Sequence, residues 1–173
     1  SGYCLQHLQS RVKTIYGIEA INANIDHACR LGLPRENLFN SDSLPPTLPQ
    51  KVDLWLFQDS FEHLPDPETF MRWLIKNSTK NAQVLVVAPR GDSLSAKILM
   101  NMWPHKIPDH QFHWSKMGLI GFFAKHGFTV TRQFYPIKHL SLETLGAHVM
   151  HMFNRPNWRV FRTLSHSSRT IPF

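Results

Sequence analysis

Glu19 stands 17 residues after Gly2 in a chain of 173. A carboxylate accepts two hydrogen bonds from a vicinal diol. In nucleotide-binding α/β folds an acidic residue about 20 positions past a glycine turn holds the ribose hydroxyls this way. The alternative reading of Glu19 is a strand-end glutamate facing water. A second chemistry lies in "FEHLPDP", where His63 follows Glu62. An imidazole with an ordinary pKa of about 6.5 can take a proton from a substrate hydroxyl at neutral pH. A histidine leading a helix is also often structural. A third group is His105, His110 and His113 with Asp109 nearby. Their spacing matches no metal motif, and no metal is expected from it.

These residues need elements to position them, and the pattern alternates helix and strand. Residues 4–9 begin a helix, and "TIYGIE" (14–19) reads as a buried strand. Ile21, Ile25, Ala28 and Cys29 share one helical face that Gly32 ends. "NLFNSD" (37–42) is a short strand, "SLPPTLPQ" (43–50) a proline-rich loop, and "VDLWLF" (52–57) a strand apolar enough to be covered on both faces. Asp66, Pro67 and Glu68 form a strong helix start, with Phe70, Met71, Leu74 and Ile75 as its buried stripe. "AQVLVVAP" (82–89) is the most apolar strand, followed by an irregular or partly helical stretch over 91–114. Ser115 then caps a helix carrying Leu119, Phe122 and Phe123 that Gly127 ends. "FTVTRQF" (128–134) alternates as a half-exposed strand. A helix from Ser141 with Leu142, Leu145, Val149 and Met152, and a strand over 158–164, complete the reading. Such alternation predicts a doubly wound, mostly parallel α/β sheet, with ligands at the carboxyl ends of its strands.

Composition bounds the rest. Two cysteines, Cys4 and Cys29, are too few for a disulfide framework. No apolar run approaches the ~20 residues that span a bilayer, and no basic-then-apolar leader opens the chain, so a soluble cytoplasmic protein is expected. The net charge of +7 is uneven. Residues 1–100 carry ten Lys/Arg against ten Asp/Glu, and residues 101–173 nine against two, Asp109 and Glu143. That asymmetry suits either an anionic partner or a basic solvated tail. No Arg/Lys cluster is interleaved with aromatics, so nucleic acid is not an expected partner. Missing P-loop and Gly-x-Ser-x-Gly signatures argue against a nucleotide triphosphatase and an α/β-hydrolase.

Six stretches together resemble the class I S-adenosylmethionine-dependent methyltransferases of small molecules. They are "SGYCLQHL", "YGIEA", "NSDSLP", "LFQDSFEHLPDPETFMRWL", "AQVLVVAPR" and "DHQFHWSKMGLIGFFAKHGFTV". The fourth, with its "EHLxDP" form, is the most specific, and the likeness covers roughly residues 1–135. It implies a Rossmann-like fold that is amino-terminally truncated, because the family's first strand and most of its Asp-x-Gly-x-Gly-x-Gly loop precede the position of Ser1. It implies S-adenosylmethionine as cofactor and S-adenosylhomocysteine as product. Gly2 and Tyr3 would end the cofactor loop, Glu19 would hold the ribose, and Ala20 would lie against the adenine. Asp42, with Ser43 beside it, would face the adenine amino group, and Gln58 and Asp59 would approach the methionine end. His63 would serve as a base, and His110 would sit in the loop closing over the acceptor. Trp103, Phe112 and Trp114 are either an acceptor lining or core. The nitrogen-methylating Asn/Asp-Pro-Pro-Tyr/Phe motif is replaced by "QDSF", which disfavours exocyclic or amide nitrogen as acceptor.

The expected organisation is a cofactor-binding domain over residues 1–140 and a basic extension over 141–173. The expected activity is methyl transfer to an oxygen, carbon or nitrogen of a small molecule, and the basic extension favours an anionic or lipid-linked one. The opposing reading is a non-catalytic remnant of the fold acting as a binding module. Oligomeric state is not legible in the sequence.

Overall fold

The computed structural model of the chain describes residues 2–135, 139–141 and 170–172. Contacts divide the chain into two units, Ser1–Val52 with Trp73–Lys80, and Asp53–Arg72 with Asn81–Phe173. Among the described residues the strands form three two-stranded sheets within an α/β arrangement.

The first unit is a strand–helix–strand core preceded by a short helix. It contains α1 (Tyr3–Leu8), β1 (Gly17–Glu19), α2 (Asn22–Arg30) and β2 (Leu38–Asn40). The strands pair in parallel, Gly17 opposite Leu38 and Glu19 opposite Asn40. The predicted strand over 14–19 is thus confined to its last three residues. Ile25, Ala28, Leu33 and Leu38 are buried together, with Leu5, Ile15 and Cys29 packed against them. Gly17 lets Leu38 and Leu5 close over the strand, since a Cβ there would come within 2.7 Å of Leu38 Cδ2 and 2.8 Å of Leu5 Cδ1 and push those side-chain ends aside. Ile21, expected on the helix face, is instead the extended, exposed residue before α2. Gly32 ends that helix at φ +89°. Its amide donates to Cys29 O at 2.9 Å and the Leu33 amide to Ala28 O at 3.2 Å, the paired bonds of a Schellman motif.

The proline-rich loop of this unit is held by buried Asn77. Its Oδ1 accepts from the Leu48 amide at 2.6 Å, its carbonyl accepts from the Val52 amide at 2.8 Å, and its Nδ2 donates to Trp73 O at 2.9 Å. Trp73 Nε1 donates to Pro45 O at 2.6 Å. A buried amide is tolerated because each of its groups finds a partner.

The second unit takes in most of β3 (Val52–Gln58), which pairs with β4 (Ser78–Val87). The Asp59 amide extends the pairing by donating to Val87 O at 2.8 Å. Trp55 and Phe57 are buried, but Leu54, just before them, is 53% exposed. The expectation that β3 is covered on both faces therefore fails, because a two-stranded sheet buries one face and leaves alternate side chains on the other.

Helix α3 (Pro67–Lys76) begins as its sequence predicts, with Asp66 Oδ1 accepting from the Thr69 amide at 3.0 Å. Met71 and Leu74 are fully buried, but Ile75 is exposed. Helix α4 (Leu94–Leu99) is capped by Ser93, and α5 (Lys116–Lys125) by Ser115, whose Oγ accepts from Gly118 at 3.0 Å. Gly127, at φ +83°, closes α5 with a second Schellman pair, Gly127 to Ala124 O and Phe128 to Phe123 O, both 3.0 Å.

The alternating stretch 128–134 is not a strand, since no ladder forms along it among the described residues. Polarity alternation marks a strand only where a neighbouring strand supplies partners for its amides. β5 (His139–Ser141) and β6 (Thr170–Pro172) form a short antiparallel pair. The helix expected from Ser141, the strand over 158–164 and nearly all of the basic extension lie outside the described residues. No helix among the described residues is long and apolar enough to cross a membrane.

Glu68, at the start of α3, binds the end of α5. Its Oε1 accepts from Lys125 Nζ at 2.6 Å and its Oε2 lies 3.1 Å from His126 Nε2. The hydrogen bond from Lys125 holds the Glu68 carboxyl below the usual carboxylate range. A lowered folded-state pKa gives stability that is present at neutral pH and lost as pH falls through that pKa. Lys125 is 66% exposed, so water screens much of the effect. Glu68→Gln is expected to lower the thermal midpoint at pH 7 by about 2 °C or less. As pH falls through the lowered Glu68 pKa, the melting points of the two proteins are expected to converge.

Candidate functional site

In the first unit, Gly2, Leu5, Gly17, Ile18, Glu19, Asn24, Ile25, Ala28 and Leu38 line a small hollow of about 50 Å3 that opens to solvent. Its floor is apolar because helices α1 and α2 press on β1. Its polar groups are Glu19 and Asn24. Glu19 is the last residue of β1, and parallel pairing puts it level with Asn40, the last residue of β2. Carboxyl ends of parallel strands are where this class of sheet gathers its ligands.

Glu19 Oε1 accepts from the Ile21 amide at 3.2 Å, which fixes the carboxylate over the strand-to-helix turn. Partial burial opposes ionisation of Glu19, but the hydrogen bond from the Ile21 amide, then the amino-terminal ammonium and last Asn24, bring its pKa below the usual carboxylate value. The group is therefore an anion, ready to accept hydrogen bonds at neutral pH. Gly2, in the left-handed region at φ +84°, sits against Ala28, whose Cβ would lie 2.8 Å from a Cβ at position 2. Its missing side chain serves the close approach of α1 to α2.

The other expected cofactor residues are distributed differently. Tyr3 is exposed and its ring meets His27 edge-on at 5.5 Å, away from the hollow's lining. Ala20 is exposed, and its carbonyl accepts from Asn40 Nδ2 at 3.1 Å. Asp42 and Ser43 lie in an exposed turn after β2 and do not line the hollow. Asn40, which the sequence reading passed over, ties these parts together. It donates to Ala20 O and to Asn22 Oδ1 at 2.8 Å, and its Oδ1 accepts from the Asp42 amide at 2.8 Å. One side chain thus sets both the turn behind Glu19 and the turn holding Asp42. An asparagine at the end of a short strand was the available signal.

Gln58 and Asp59 belong to the second unit, both exposed at the end of β3. Asp59 has φ +46°, a conformation uncommon outside glycine and best tolerated by Asp and Asn. It turns the chain sharply from β3 into the 310 turn Phe61–His63.

That turn brings His63 and His110 together, their rings 4.6 Å apart and nearly perpendicular. His63 is exposed, and its Nδ1 lies 2.9 Å from Asp109 O. A carbonyl only accepts, so Nδ1 carries a proton, which in the neutral imidazole leaves the lone pair on Nε2. Glu62, next to His63 in the turn, is buried, with its Oε1 4.0 Å from His110 Nε2. The Phe112 amide donates to Glu62 O at 3.1 Å, clipping the 109–113 loop onto the turn. His105 stacks parallel to His110 at 6.2 Å.

Trp114 is half-buried and packs on Phe61, Phe112 and Phe122 at 5.7, 5.2 and 5.2 Å. Trp103 is buried beside His105 and His113.

No curated protein matches the chain. A family model described as a methyltransferase domain matches residues 1–133. That span includes the Glu19 hollow, the Asp59 turn and the Glu62–His63–His110 cluster. The chain is a member of the methyltransferase-domain family.

Proposed function

We propose that the chain binds S-adenosylmethionine through the Glu19 hollow and serves methyl transfer to an oxygen of a small, anionic molecule. The observation that carries this reading is the ionised Glu19 carboxylate at the carboxyl end of β1, over an apolar floor. A nucleoside needs that combination: an acceptor of two hydrogen bonds for its diol and apolar surface for its base. The residues present fit the group on that ground. When bound, the cofactor supplies a methyl group on a sulfonium, already activated for transfer.

The chain's own residues then have limited work to do. Glu19 would accept from the ribose hydroxyls. Asn24 offers a second polar contact, and Ile18 and Leu38 apolar ones. Asn40 positions the turns that carry Ala20 and Asp42. In the second unit, His63 Nδ1 donates to Asp109 O, and His63 and His110 lie side by side. Because the methyl group arrives activated, positioning carries most of the acceleration. The net positive charge beyond residue 100 supports an anionic acceptor.

Calorimetric titration of the chain with S-adenosylhomocysteine tests the reading. A dissociation constant of about 1–100 μM is expected, comparable to ordinary metabolite affinities. Absence of heat at millimolar ligand would sink it.

A further inference from the structure

We infer that Glu62, His63 and His110 form a binding site for a single divalent metal ion of the zinc class. One donor atom from each of the three lies within 4.8 Å of the others. Glu62 is the decisive member. Its side chain is 2% exposed, and neither carboxylate oxygen has a hydrogen-bond partner. The nearest opposite group, His110 Nε2, is 4.0 Å away, beyond hydrogen-bond range. His110 is itself 6% exposed, and its Nδ1 is also without a partner. A carboxylate desolvated without donors costs several kcal/mol. A cation between the three groups removes that cost.

The donor set selects the ion. Two imidazoles with one carboxylate suit zinc and its neighbours better than calcium or magnesium, which prefer all-oxygen shells. The surroundings are those of a ligand. His63 Nδ1 donates to Asp109 O, which fixes the tautomer and presents Nε2 as donor to a metal. The Phe112 amide on Glu62 O brings the His110 loop onto the Glu62 turn by a backbone bond independent of any ion. Tetrahedral ligands of zinc stand about 3.3 Å apart. His63 is exposed, which gives the ion an entry path and leaves its fourth position open.

Resting on the methyl-transfer reading, such an ion would bind the acceptor hydroxyl and lower its pKa, so that activation passes through the metal. The binding test does not involve S-adenosylmethionine, so site and reading stand or fall separately. The full chain is stripped with a chelator and titrated with Zn2+ by calorimetry. Bound zinc is counted by elemental analysis after gel filtration, and Co2+ is substituted for its visible absorption. One ion per chain is expected. Glu62→Gln and His110→Ala are each expected to weaken binding at least about 50-fold and to remove the Co2+ band. His63→Ala is expected to do the same from an exposed position, and so decides the matter should either buried variant misfold. His27→Ala, in the first unit, controls for scattered histidines and should bind normally. Substoichiometric zinc, or binding unchanged by His63→Ala, overturns the proposal.

Discussion

Glu19→Ala is expected to weaken S-adenosylhomocysteine binding by about 100-fold, the largest effect of any single change at the hollow. Two hydrogen bonds to a charged acceptor contribute about 1.5 kcal/mol or more each, and about 1.4 kcal/mol is a factor of ten in affinity. The alanine also removes the acceptor of the Ile21 amide, so the turn into α2 loosens at the same time. Glu19→Gln separates the two effects. Its amide oxygen can still accept from Ile21, while the negative charge and one acceptor are gone. A loss of about 10-fold with an unchanged melting temperature is expected for it. The pH dependence follows from the lowered carboxyl pKa. Glu19 stays ionised to lower pH than a free glutamate, so wild-type affinity should be flat at neutral pH and fall only as pH drops through that lowered value. Binding by Glu19→Gln should show no such fall. Equal affinities for wild type and Glu19→Ala would remove Glu19 from the cofactor site.

The same residue shows what the sequence made legible. Glu19 is singled out by its distance to Gly2, and the structure puts it at the end of β1, where it lines the hollow together with Gly2. Helix limits were legible for a related reason. Asp66, Ser115, Gly32 and Gly127 act on amides and carbonyls within a few residues, so their chemistry is complete in a short window of sequence. Asn40, Asn77 and Glu62 were not found in their roles. Asn40 reaches back 20 residues to Ala20, and the Asn77 side chain accepts from an amide 29 residues before it. The Glu62 carbonyl is met by the Phe112 amide, 50 positions later in the chain. Nothing local marks such a residue as buried. The histidines were read as a run, His105 to His113, and therefore without the carboxylate that stands among them. The strand at 128–134 failed by the same logic, since its pattern required a partner that the pattern itself does not encode.

Phe61 connects the core of the second unit to its candidate chemistry, and its removal is expected to have the largest effect on stability. It is 0% exposed, with ring neighbours Phe57 at 5.1 Å, Phe123 at 5.2 Å, and Trp114 and Phe122 at 5.7 Å. These neighbours come from β3, α5 and the segment between α4 and α5. A phenylalanine truncated in such surroundings costs about 3–5 kcal/mol, the transfer loss adding to a cavity that rigid rings cannot fill. Total stabilities are typically about 5–15 kcal/mol. Phe61→Ala should therefore melt about 10 °C or more below wild type, if it accumulates at all. Phe61→Leu keeps most of the volume and loses the edge-to-face contacts, so a fall of about 3–6 °C is expected. The residue also leads the turn that carries Glu62 and His63. Loss of its anchoring ring should release that turn before the rest of the unit unfolds. Hydrogen exchange reads this directly: in Phe61→Leu the amides of residues 61–64 and of Phe112 should exchange faster, while those of Trp55 and Phe57 keep their protection. A uniform rise across the unit, or a melting point within 2 °C of wild type for Phe61→Ala, would show that the turn draws its rigidity from elsewhere, such as the Asp59 and Phe112 backbone bonds.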